Sequence, residues 1–448
     1  MLPNFPLEKI RDLQNSNVGV LFSSTLYREV AMVYDYYHAA VIGGGPAGMM
    51  AAGRAAQCGA KTILIEKNYL PGRKLLITGK GRCNITNAQY DPHRFIEAFG
   101  KNKKGKFLYS SLHQFGVADT IRFFNERGLC TKVERGNRVF PESDKAADVL
   151  TVLLDFLKET GVTVITGSPV RRVVKSGTAV KEIVLDRLVV SADKYILSTG
   201  GLSYPDTGST GAGIEWAEEL GQPIVPPQPA LVPLKLKEKW VKELHGLDLR
   251  NVRIRVYQDN KKQEEAFGEA CFTHDGMGGP IILDMSKKIG KLLEKAPVQL
   301  LIDLKPALEF NRFDARLQRD FRQFHNKMFK NSLDKLLPRA MIPVMINLSG
   351  IDPLKKANAV TREERKKLVH LFKELRVNVR SLLGINKALI TSGGVSLKEV
   401  DPRTMRSTRI NNLYFAGEIL DLDGPTGGYN LQVCWSTGYV AGESAAVS

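Results

Sequence analysis

The stretch "AAVIGGGPAGMMAAG" at residues 39–53 decides the fold of this 448-residue chain. An apolar run leads directly into Gly43, Gly45 and Gly48, and an alanine-rich run follows, which predicts a strand, a tight turn and a helix. The first glycine of such a turn allows the sharp bend, the second lets the backbone approach a pyrophosphate, and the third lets the helix pack on the strand. The pyrophosphate would lie at the helix N-terminus. The stretch therefore predicts a dinucleotide-binding loop.

The next strand supports this interpretation. The run "KTILIE" at residues 61–66 ends at Glu66, near the position at which an acidic residue meets a ribose hydroxyl in this motif. A carboxylate there repels a 2′-phosphate, so FAD or NAD is favoured over NADP. A glycine-rich turn in an ordinary α/β protein is the alternative, which the complete unit disfavours. The predicted contacts of this unit are Gly43, Gly45, Pro46, Ala47, Gly48, Glu66 and Lys67.

Composition restricts the class of protein. The length allows two or three domains, and 43% hydrophobic with 25% charged residues is typical of a soluble globular protein. We find no uncharged apolar run of about 18 residues and no secretory signal. We therefore expect a cytoplasmic protein that does not span a membrane.

The five cysteines are dispersed and form no CxxC motif. An odd, scattered set favours reduced thiols over a disulfide framework or a zinc site, and it argues against a disulfide oxidoreductase. We predict no metal site.

The formal charge of +17 is unevenly distributed. Residues 306–384 contain 17 Lys/Arg against 8 Asp/Glu, a balance of +9. Acidic residues are interleaved with these bases, as in "TREERKKLVHLFKELRV" at residues 361–377. Such a pattern favours a solvated helix face over a nucleic-acid surface, so a nucleic-acid partner is not expected.

The order of predicted elements indicates an α/β domain that is interrupted by an insertion. Prolines at 223, 226, 227, 229 and 233 mark its first boundary, and the α/β pattern returns near 387. The stretch before the first strand shows no clear periodicity of apolar residues. Met32 lies shortly before that strand and is an alternative start of the chain. The predicted segments are an N-terminal extension 1–37, a first FAD-domain part 38–225, an inserted β domain 226–305, an inserted helical domain 306–384 and a second FAD-domain part 385–448.

The C-terminal block selects the dinucleotide. "NLYFAGE" at residues 412–418 predicts a strand that ends in Gly417 and Glu418, and "GPTGGYNLQVCWSTG" at 424–438 starts a helix. In flavoproteins of the glutathione-reductase type, such a strand end lies along the ribityl and phosphate groups, and the helix directs its positive end at the flavin. NAD needs no second element of this kind, so the predicted cofactor is FAD. Because only one GxGxxG occurs, NAD(P)H would dock transiently; oxygen or a bound substrate is the alternative redox partner.

These blocks resemble a known family. Together with "GRKLLITGKGRCNITN", "RVFPESDKAADVL", "TGGLSYPDTGSTG", "FTHDGMGGPIIL" and "ITSGGV", they are similar to the bile-acid reductase-like and aminoacetone-oxidase-like NAD(P)/FAD-dependent oxidoreductases. The resemblance runs from about residue 38 to the C-terminus. It implies a discontinuous FAD-binding Rossmann domain of the glutathione-reductase type, with inserted β-barrel-like and helical domains.

The resemblance also implies site residues. Those beside the flavin are Arg73, Lys74, Thr78, Gly79, Arg82, Cys83 and Asn84; Val170 lies at the adenine; Thr199, Gly200 and Gly201 lie at the dinucleotide; and Gly428, Tyr429, Asn430 and Leu431 cap the ring. In one departure, Ala212 stands where the family has an acidic residue in "GSTGDG".

Two residues carry hypotheses about reactivity. Cys83 could react with substrate or link to the flavin, but a small cysteine more often packs against a ring, and that interpretation is favoured. His274 lies in the turn "THDGMGG" at residues 273–279. A structural role is favoured for this histidine, and proton transfer is the weaker alternative.

The predicted function is that of an FAD-dependent oxidoreductase. It would reduce an activated C=C bond or oxidise a small amine by hydride transfer through flavin N5, with NAD(P)H or oxygen as redox partner. An RNA-modifying flavoprotein and a non-catalytic flavin-binding sensor are the alternatives. The expected partner is a small-molecule substrate, and the sequence specifies no oligomeric state.

Overall fold

The computed structural model describes residues 33–100 and 104–447. The chain divides into two compact units: Met1–Pro229 together with Leu389–Ser448 form unit 1, and Ala230–Ala388 forms unit 2. The alternative start at Met32 and most of the predicted extension lie outside the described residues.

The secondary structure is numbered along the chain. The strands are β1 (Val33–Ile42), β2 (Thr62–Ile65), β3 (Thr86–Asn87), β4 (Thr131–Glu134), β5 (Arg138–Pro141), β6 (Thr163–Ile165), β7 (Arg172–Ser176), β8 (Ala179–Val184), β9 (Leu188–Leu197), β10 (Ile224–Ala230), β11 (Leu234–Leu236), β12 (Asp248–Gln258), β13 (Lys261–Phe272), β14 (Gly276–Gly278), β15 (Gln299–Asp303), β16 (Leu375–Leu382), β17 (Ile390–Val395) and β18 (Leu413–Phe415). The α-helices are α1 (Pro46–Gln57), α2 (Arg73–Ile77), α3 (Pro92–Glu97), α4 (Tyr109–Gln114), α5 (Val117–Glu126), α6 (Ala146–Glu159), α7 (Ala212–Glu219), α8 (Pro280–Leu293), α9 (Phe310–Gln323), α10 (Met341–Ser349), α11 (Arg362–Lys373) and α12 (Tyr429–Val447).

Unit 1 is built on a seven-stranded sheet. Its order is β6-β2-β1-β9-β8-β7, and β18 also pairs with β9. The pairs β6-β2, β2-β1, β1-β9 and β9-β18 are parallel. Ala39, Ala40 and Val41 on β1 are completely buried, as expected for a central strand of a parallel sheet that is covered on both faces. The predicted α/β fold with its strand, turn and helix at 39–53 is confirmed.

Strand β1 begins before the boundary that the sequence predicts at residue 38. Its first residue, Val33, already pairs in register with Leu188 of β9. The residues from Tyr34 to Tyr37 are aromatic and charged rather than continuously apolar. Their strand structure comes from pairing with a distant strand, which a local apolar pattern does not reveal.

Helices α1 and α12 pack with unusually close backbones. A Cβ atom on Gly438 would lie 2.5 Å from the carbonyl oxygen of Ala47, and one on Gly442 would lie 2.2 Å from that of Ala51. Both distances are below any real Cβ contact. The two glycines therefore allow the first and last helices of unit 1 to touch along their backbones.

Unit 2 contains a closed barrel of strand order β11-β14-β13-β12-β15-β16. The barrel strands and helices α8 to α11 contribute to one shared hydrophobic core. Strand β16 lies inside the segment 306–384 that the sequence assigns to helices, and α8 lies inside the segment 226–305 assigned to strands. The sequence conceals β16 because only Glu374 separates it from α11, with no glycine or proline between them.

The family block "GRKLLITGKGRCNITN" at residues 72–87 is partly helical. Helix α2 and a 3₁₀ turn at Thr78–Gly81 lie inside it. The helix has five residues, too few to give a recognisable period in the sequence.

We predict that Gly442→Ala destabilises the protein by about 1–3 kcal/mol, because the added methyl group overpacks the contact between α1 and α12. The control is Gly384→Ala, where φ is −64° and no atom lies within 4 Å of the new Cβ; it should be neutral or stabilising by up to about 1 kcal/mol. Urea unfolding followed by circular dichroism measures both. Equal stability of Gly442→Ala and wild type would contradict the assigned packing.

Candidate functional site

The turn after β1 requires glycine at two of its positions. Gly43 has a φ of +106°, and a Cβ there would lie 2.6 Å from the carbonyl oxygen of Ser198. A Cβ on Gly48 would lie 1.9 Å from the carbonyl oxygen of Gly43. At Gly45, the N-cap of α1, a Cβ would meet no atom within 4 Å. The turn is thus closed on the sheet side and open at the helix N-terminus, where the backbone can accept an anion.

Glu66 is buried and braces this turn. Its Oε2 accepts a hydrogen bond from the backbone N–H of Gly44 at 2.7 Å, and its Oε1 accepts from the backbone and side-chain N–H groups of Asn68, both at 2.7 Å. An ionised carboxylate offers about four acceptor positions. Glu66 therefore shapes the turn and still has an acceptor position on Oε2 for a hydroxyl group.

Asn68 links Glu66 to the second glycine-rich element. Its side-chain amide donates to the carbonyl of Thr207 at 3.1 Å, and its Oδ1 accepts from Arg73 at 3.0 Å. Beside it, Lys67 donates to the hydroxyl of Thr210 at 2.9 Å, and burial lowers the pKa of Lys67. The predicted residues Lys67 and Arg73 are thus held against Asn68 and the element near 207–210.

A second cluster surrounds Glu418. Lys74 of α2 donates to Glu418 Oε2 at 2.7 Å and to the hydroxyl of Ser203 at 2.6 Å. Ser203 and the backbone N–H of Thr391 each donate to Glu418 Oε1 at 2.8 Å. Glu418 therefore ties α2, the loop after β9 and strand β17 together.

The loop from Thr78 to Asn84 has a strained backbone. Lys80 and Cys83 both have a φ of +61°, a region that costs a residue other than glycine about 1 kcal/mol or more and that often marks a functional site. Two contacts hold the loop: the Cys83 N–H donates to the carbonyl of Thr78 at 3.1 Å, and Arg82 pairs with Glu134 at 2.8 Å. One contact within the loop and one contact with strand β4 therefore hold the strained backbone in place.

Strand β3, which follows this loop in the chain, contacts the N-terminus of α12. Gly428 has a φ of +102°, and a Cβ on it would lie 2.3 Å from the backbone of Thr86. The Asn87 amide donates to the carbonyl of Gly427 at 3.0 Å. The ring of Tyr429 lies 4.7 Å from that of Phe95. Close backbone contact therefore fixes the helix end beside the strained loop.

The side chain of Asn430 forms hydrogen bonds within its own loop. Its Oδ1 accepts from the N–H of Gly424 at 2.8 Å, and its amide donates to the carbonyl of Pro425 at 3.1 Å. The side chain of Asn430 therefore shapes the turn before α12.

Two polar atoms of the predicted set have no protein partner. Within the described residues, Asn84 Oδ1 and Thr199 Oγ1 are buried and form no hydrogen bond. A buried polar atom left unpaired costs about 1–3 kcal/mol. A bound flavin dinucleotide carries the hydroxyl and amide groups that could pair with both atoms. Together with the open face at Gly45, these atoms fit the predicted cofactor.

Cys83 lacks the character of a reactive thiol. The side chain is completely buried, and burial raises the pKa of its thiol to about 12. Since the thiolate is the nucleophile, the packing interpretation is favoured. Burial raises the pKa of Cys434 to about 12 as well, whereas Cys130 is exposed.

The remaining predicted residues of unit 1 fall on the same elements. Pro46 and Ala47 start α1, Thr199, Gly200 and Gly201 follow β9, Val170 precedes β7, Gly79 lies in the 3₁₀ turn, Gly417 follows β18, and Leu431 lies in the first turn of α12. The segment before Val170 lies against the Glu66 strand end, because Ser168 N–H donates to the carbonyl of Glu66 at 3.1 Å. Ala212, the departure from the family pattern, starts α7.

His274 belongs to unit 2. Its side chain is 70% exposed, and its ring lies 6.0 Å from that of His245. The neighbouring Asp275 lies 3.7 Å from Lys242 and 3.8 Å from Lys235. The histidine thus stands in a charged surface turn of unit 2, and its role stays a prediction.

Sequence reasoning did not identify several residues that build the site. They are Asn68, Asn87, Ser198, Ser203 and Thr391, each of which bonds to a predicted residue or to the glycine-rich turn. Their type gives a weak local signal, since Ser, Thr and Asn are also ordinary turn residues. Only the positions of Asn87, Ser203 and Thr391 inside quoted family blocks pointed to them.

The part of the chain that the structure describes offers neither a metal site nor a membrane-spanning helix. It contains no group of three or more His, Cys, Asp or Glu side chains that could hold a metal ion. It also contains no helix with both the length and the apolar character needed to cross a membrane.

The chain is similar in sequence to known proteins. The family described as HI0933-like protein Rossmann domain matches residues 37–444. The chain is 32% identical to the 3-dehydro-bile acid delta(4,6)-reductase of Clostridium scindens over 409 residues, which are 91% of this chain and 98% of that protein. It is 30% identical to the ribosomal RNA dihydrouridine synthase of Escherichia coli over 412 residues, with the same coverage of both chains.

Among solved structures, the fold is similar to that of the 3-ketosteroid-delta4-(5alpha)-dehydrogenase of Rhodococcus jostii. The TM-score is 0.55 at 15% sequence identity, and the match covers 94% of this chain and 99% of that chain. The FAD-binding Rossmann fold predicted from the glycine-rich turn is thus confirmed.

We predict that Glu66→Gln raises the dissociation constant for FAD by about 10- to 100-fold, which corresponds to about 1.5–3 kcal/mol. The amide has one acceptor oxygen and cannot serve Gly44, Asn68 and a ribose hydroxyl together. Removing the carboxyl group altogether with Glu66→Ala would also release the turn. Titration of apoprotein with FAD measures the effect, and Glu97→Gln at an exposed position is the control. Equal FAD affinity of wild type, Glu66→Gln and Glu97→Gln would reject the predicted role of Glu66.

We predict that iodoacetamide at pH 8 labels Cys130 and leaves Cys83 unlabelled in the folded protein. A thiol with a pKa near 12 is ionised to only about 1 part in 10⁴ at that pH. Mass spectrometry of tryptic peptides identifies the labelled residues, and urea-unfolded protein serves as the control in which both react. Labelling of folded Cys83 at the rate of Cys130 would restore the reactive hypothesis.

Proposed function

The chain belongs to the family of HI0933-like proteins with a Rossmann domain and is an FAD-dependent oxidoreductase, and we propose that it reduces a carbon–carbon double bond conjugated to a carbonyl group. One observation carries the reaction type. The two relatives act on different molecules, yet both names describe the saturation of a conjugated double bond, in a 3-dehydro-bile acid and in uridine. The shared chemistry favours this reaction over amine oxidation.

The residues of unit 1 would hold FAD along one path. The open turn at Gly45 would take the pyrophosphate at the positive end of α1. Glu66 would accept a hydrogen bond from a ribose hydroxyl, and the strained loop with Asn84 would face the ring. Bound FAD would supply two-electron redox chemistry by hydride transfer.

The N-terminus of α12 has an electrostatic role in this proposal. The backbone N–H groups of the first turn of a helix carry a partial positive charge. Placed at the edge of the ring, this charge would stabilise the negative charge of the reduced cofactor. Contacts of Gly427 and Gly428 with strand β3 keep the helix end in place.

Reduction of a conjugated double bond also needs a proton at the carbon beside the carbonyl. NAD(P)H would be the electron donor. Because the sequence has a single GxGxxG motif, we propose that the nicotinamide cofactor docks transiently and leaves the same space for the substrate.

A small organic enone is the first candidate substrate, since the relative with 32% identity is named for one. Uridine within ribosomal RNA is the second candidate. It is favoured by the relative with 30% identity and by the formal charge of +17, because a basic protein attracts a polyanionic substrate. The two substrates share the conjugated double bond and differ in the molecule that carries it.

The test identifies the cofactor, the electron donor and the electron acceptor in separate steps. Heat-released supernatant should contain FAD, and anaerobic NADH or NADPH should bleach the flavin. A conjugated cyclic enone should then restore the oxidised spectrum and gain two hydrogens, while the matched saturated ketone should not. Release of FMN, or failure of every enone and every uridine-containing RNA to reoxidise the flavin, would contradict the proposal. Anaerobic bleaching by a small amine would instead support amine oxidation.

A further inference from the structure

The basic residues of segment 306–384 fall into a paired and an unpaired group. The paired group surrounds α11. Arg365 pairs with Asp314 at 2.7 Å, and Lys355 pairs with Glu364 at 2.8 Å. These contacts neutralise only part of the charge of this helix. Its other exposed bases form no ion pair within the described residues: Arg362, Lys366 and Lys367.

Six residues of the unpaired group lie near one another and form what we call the basic surface. Its members are Arg319, Arg322, Lys327, Lys330, Lys335 and Lys356, all of them exposed. Within the described residues, none of these side chains forms an ion pair or a hydrogen bond. Of the two acidic residues at 319–339, Asp320 is buried and paired with Arg316 at 3.1 Å, which leaves Asp334 as the exposed one.

Local contacts bring these cations together. Arg319 and Arg322 lie three residues apart on α9, and such residues share one helix face. Lys327 and Lys335 both lie over the ring of Phe324, with Nζ 4.6 and 5.1 Å from its centroid.

The last two cations join the same surface through backbone pairing. Met328 and Lys356 form an antiparallel bridge, so Lys356 lies beside the chain that carries Lys327. The Lys330 N–H donates to the carbonyl of Pro353 at 3.1 Å. The basic surface is thus a single patch, built at the end of α9 and on the two chain segments that follow it.

We propose that the basic surface binds the phosphate backbone of RNA. The inference rests on the second candidate substrate of the proposed function and names the part of the chain that would hold it. Clustered cations without acidic partners repel one another, and a polyanion relieves this repulsion while it releases its own counterions.

RNA is the occupant that the observations favour. A relative with 30% identity over 91% of the chain is named for ribosomal RNA. The competing occupant is an anionic bilayer, because Met328 and Leu354 beside the cations are 43% and 59% exposed. Lipid binding therefore has its own arm in the test.

The test compares two triple variants that lose the same charge. Lys327→Gln, Lys330→Gln and Lys356→Gln are combined in the surface variant. The control combines Lys261→Gln, Lys291→Gln and Lys295→Gln, which are exposed lysines of unit 2 outside the basic surface. Both proteins are used as full chains loaded with FAD. Binding to a fluorescein-labelled ribosomal RNA hairpin is measured by anisotropy between about 50 and 200 mM salt.

The surface variant should bind the hairpin about 10²-fold more weakly than wild type at 0.1 M salt, and the slope of log K against log salt should fall by about 2 to 3. The control should stay within about twofold of wild type, because its lysines are not part of the surface. Equal loss in both variants, or no loss in the surface variant, overturns the proposal. So does binding of wild type to phosphatidylglycerol vesicles but not to the hairpin.

The enone assay distinguishes failure of the surface from failure of the proposed function. Both triple variants should keep wild-type flavin content and wild-type flavin reduction by NAD(P)H, because all six substitutions lie in exposed positions of unit 2. If wild type binds the hairpin through the surface but reduces neither enone nor uridine, the reaction is wrong and the surface assignment stands. If it reduces the enone and ignores the hairpin, the surface assignment fails alone.

Discussion

The close contact between α1 and α12 is the constraint on which unit 1 depends. Gly438 and Gly442 let the two helix backbones touch, and Gly417 approaches the same helix, since a Cβ on it would lie 2.7 Å from that of Ala47. These contacts join the two stretches of the chain that flank unit 2. Because they do, the turn at 43–48 and the segment at 417–431 belong to one site although they lie at opposite ends of the sequence. Small residues at three positions thus bring together the two distant motifs to which we assign the cofactor.

The carboxylates of Glu66 and Glu418 hold segments of the site together, and both are also predicted to contact the cofactor. Glu66 shapes the turn that would receive the pyrophosphate, and Glu418 ties Lys74, Ser203 and Thr391. A ligand that binds only the folded chain stabilises it, and here the binding residues are also structural residues. We therefore expect cofactor affinity and unit 1 stability to change together when either carboxylate is altered. The unpaired atoms of Asn84 and Thr199 have the opposite character, since they cost stability until a ligand pairs with them.

The sequence predicted the parts of the fold that have a local steric cause. The turn at Gly43 and Gly48 is recognisable because no other residue fits there, and the helix after Gly428 follows from the same kind of restriction. Strand β16 and the first residues of β1 were not predicted, because their structure comes from pairing with strands far away in the chain. Ser203 and Thr391 were missed as bonding partners for a related reason: their contacts with Glu418 join three segments that no local pattern connects. Local sterics can be read from one sequence, whereas pairing between distant segments needs the fold.

Charge illustrates the same distinction at the surface of unit 2. Composition gives segment 306–384 a balance of +9, but a balance does not say which bases have acidic partners. Around α11, Arg365 and Lys355 have such partners, whereas other exposed bases of that helix have none within the described residues. At the end of α9, six cations without acidic partners lie close together and their fields add to one another. The field that attracts a polyanion is strongest where unpaired cations cluster in this way. Net charge therefore indicates a binding function only where the charged side chains lack partners of opposite charge. Which side chains lack such partners depends on the neighbours that folding brings to each of them.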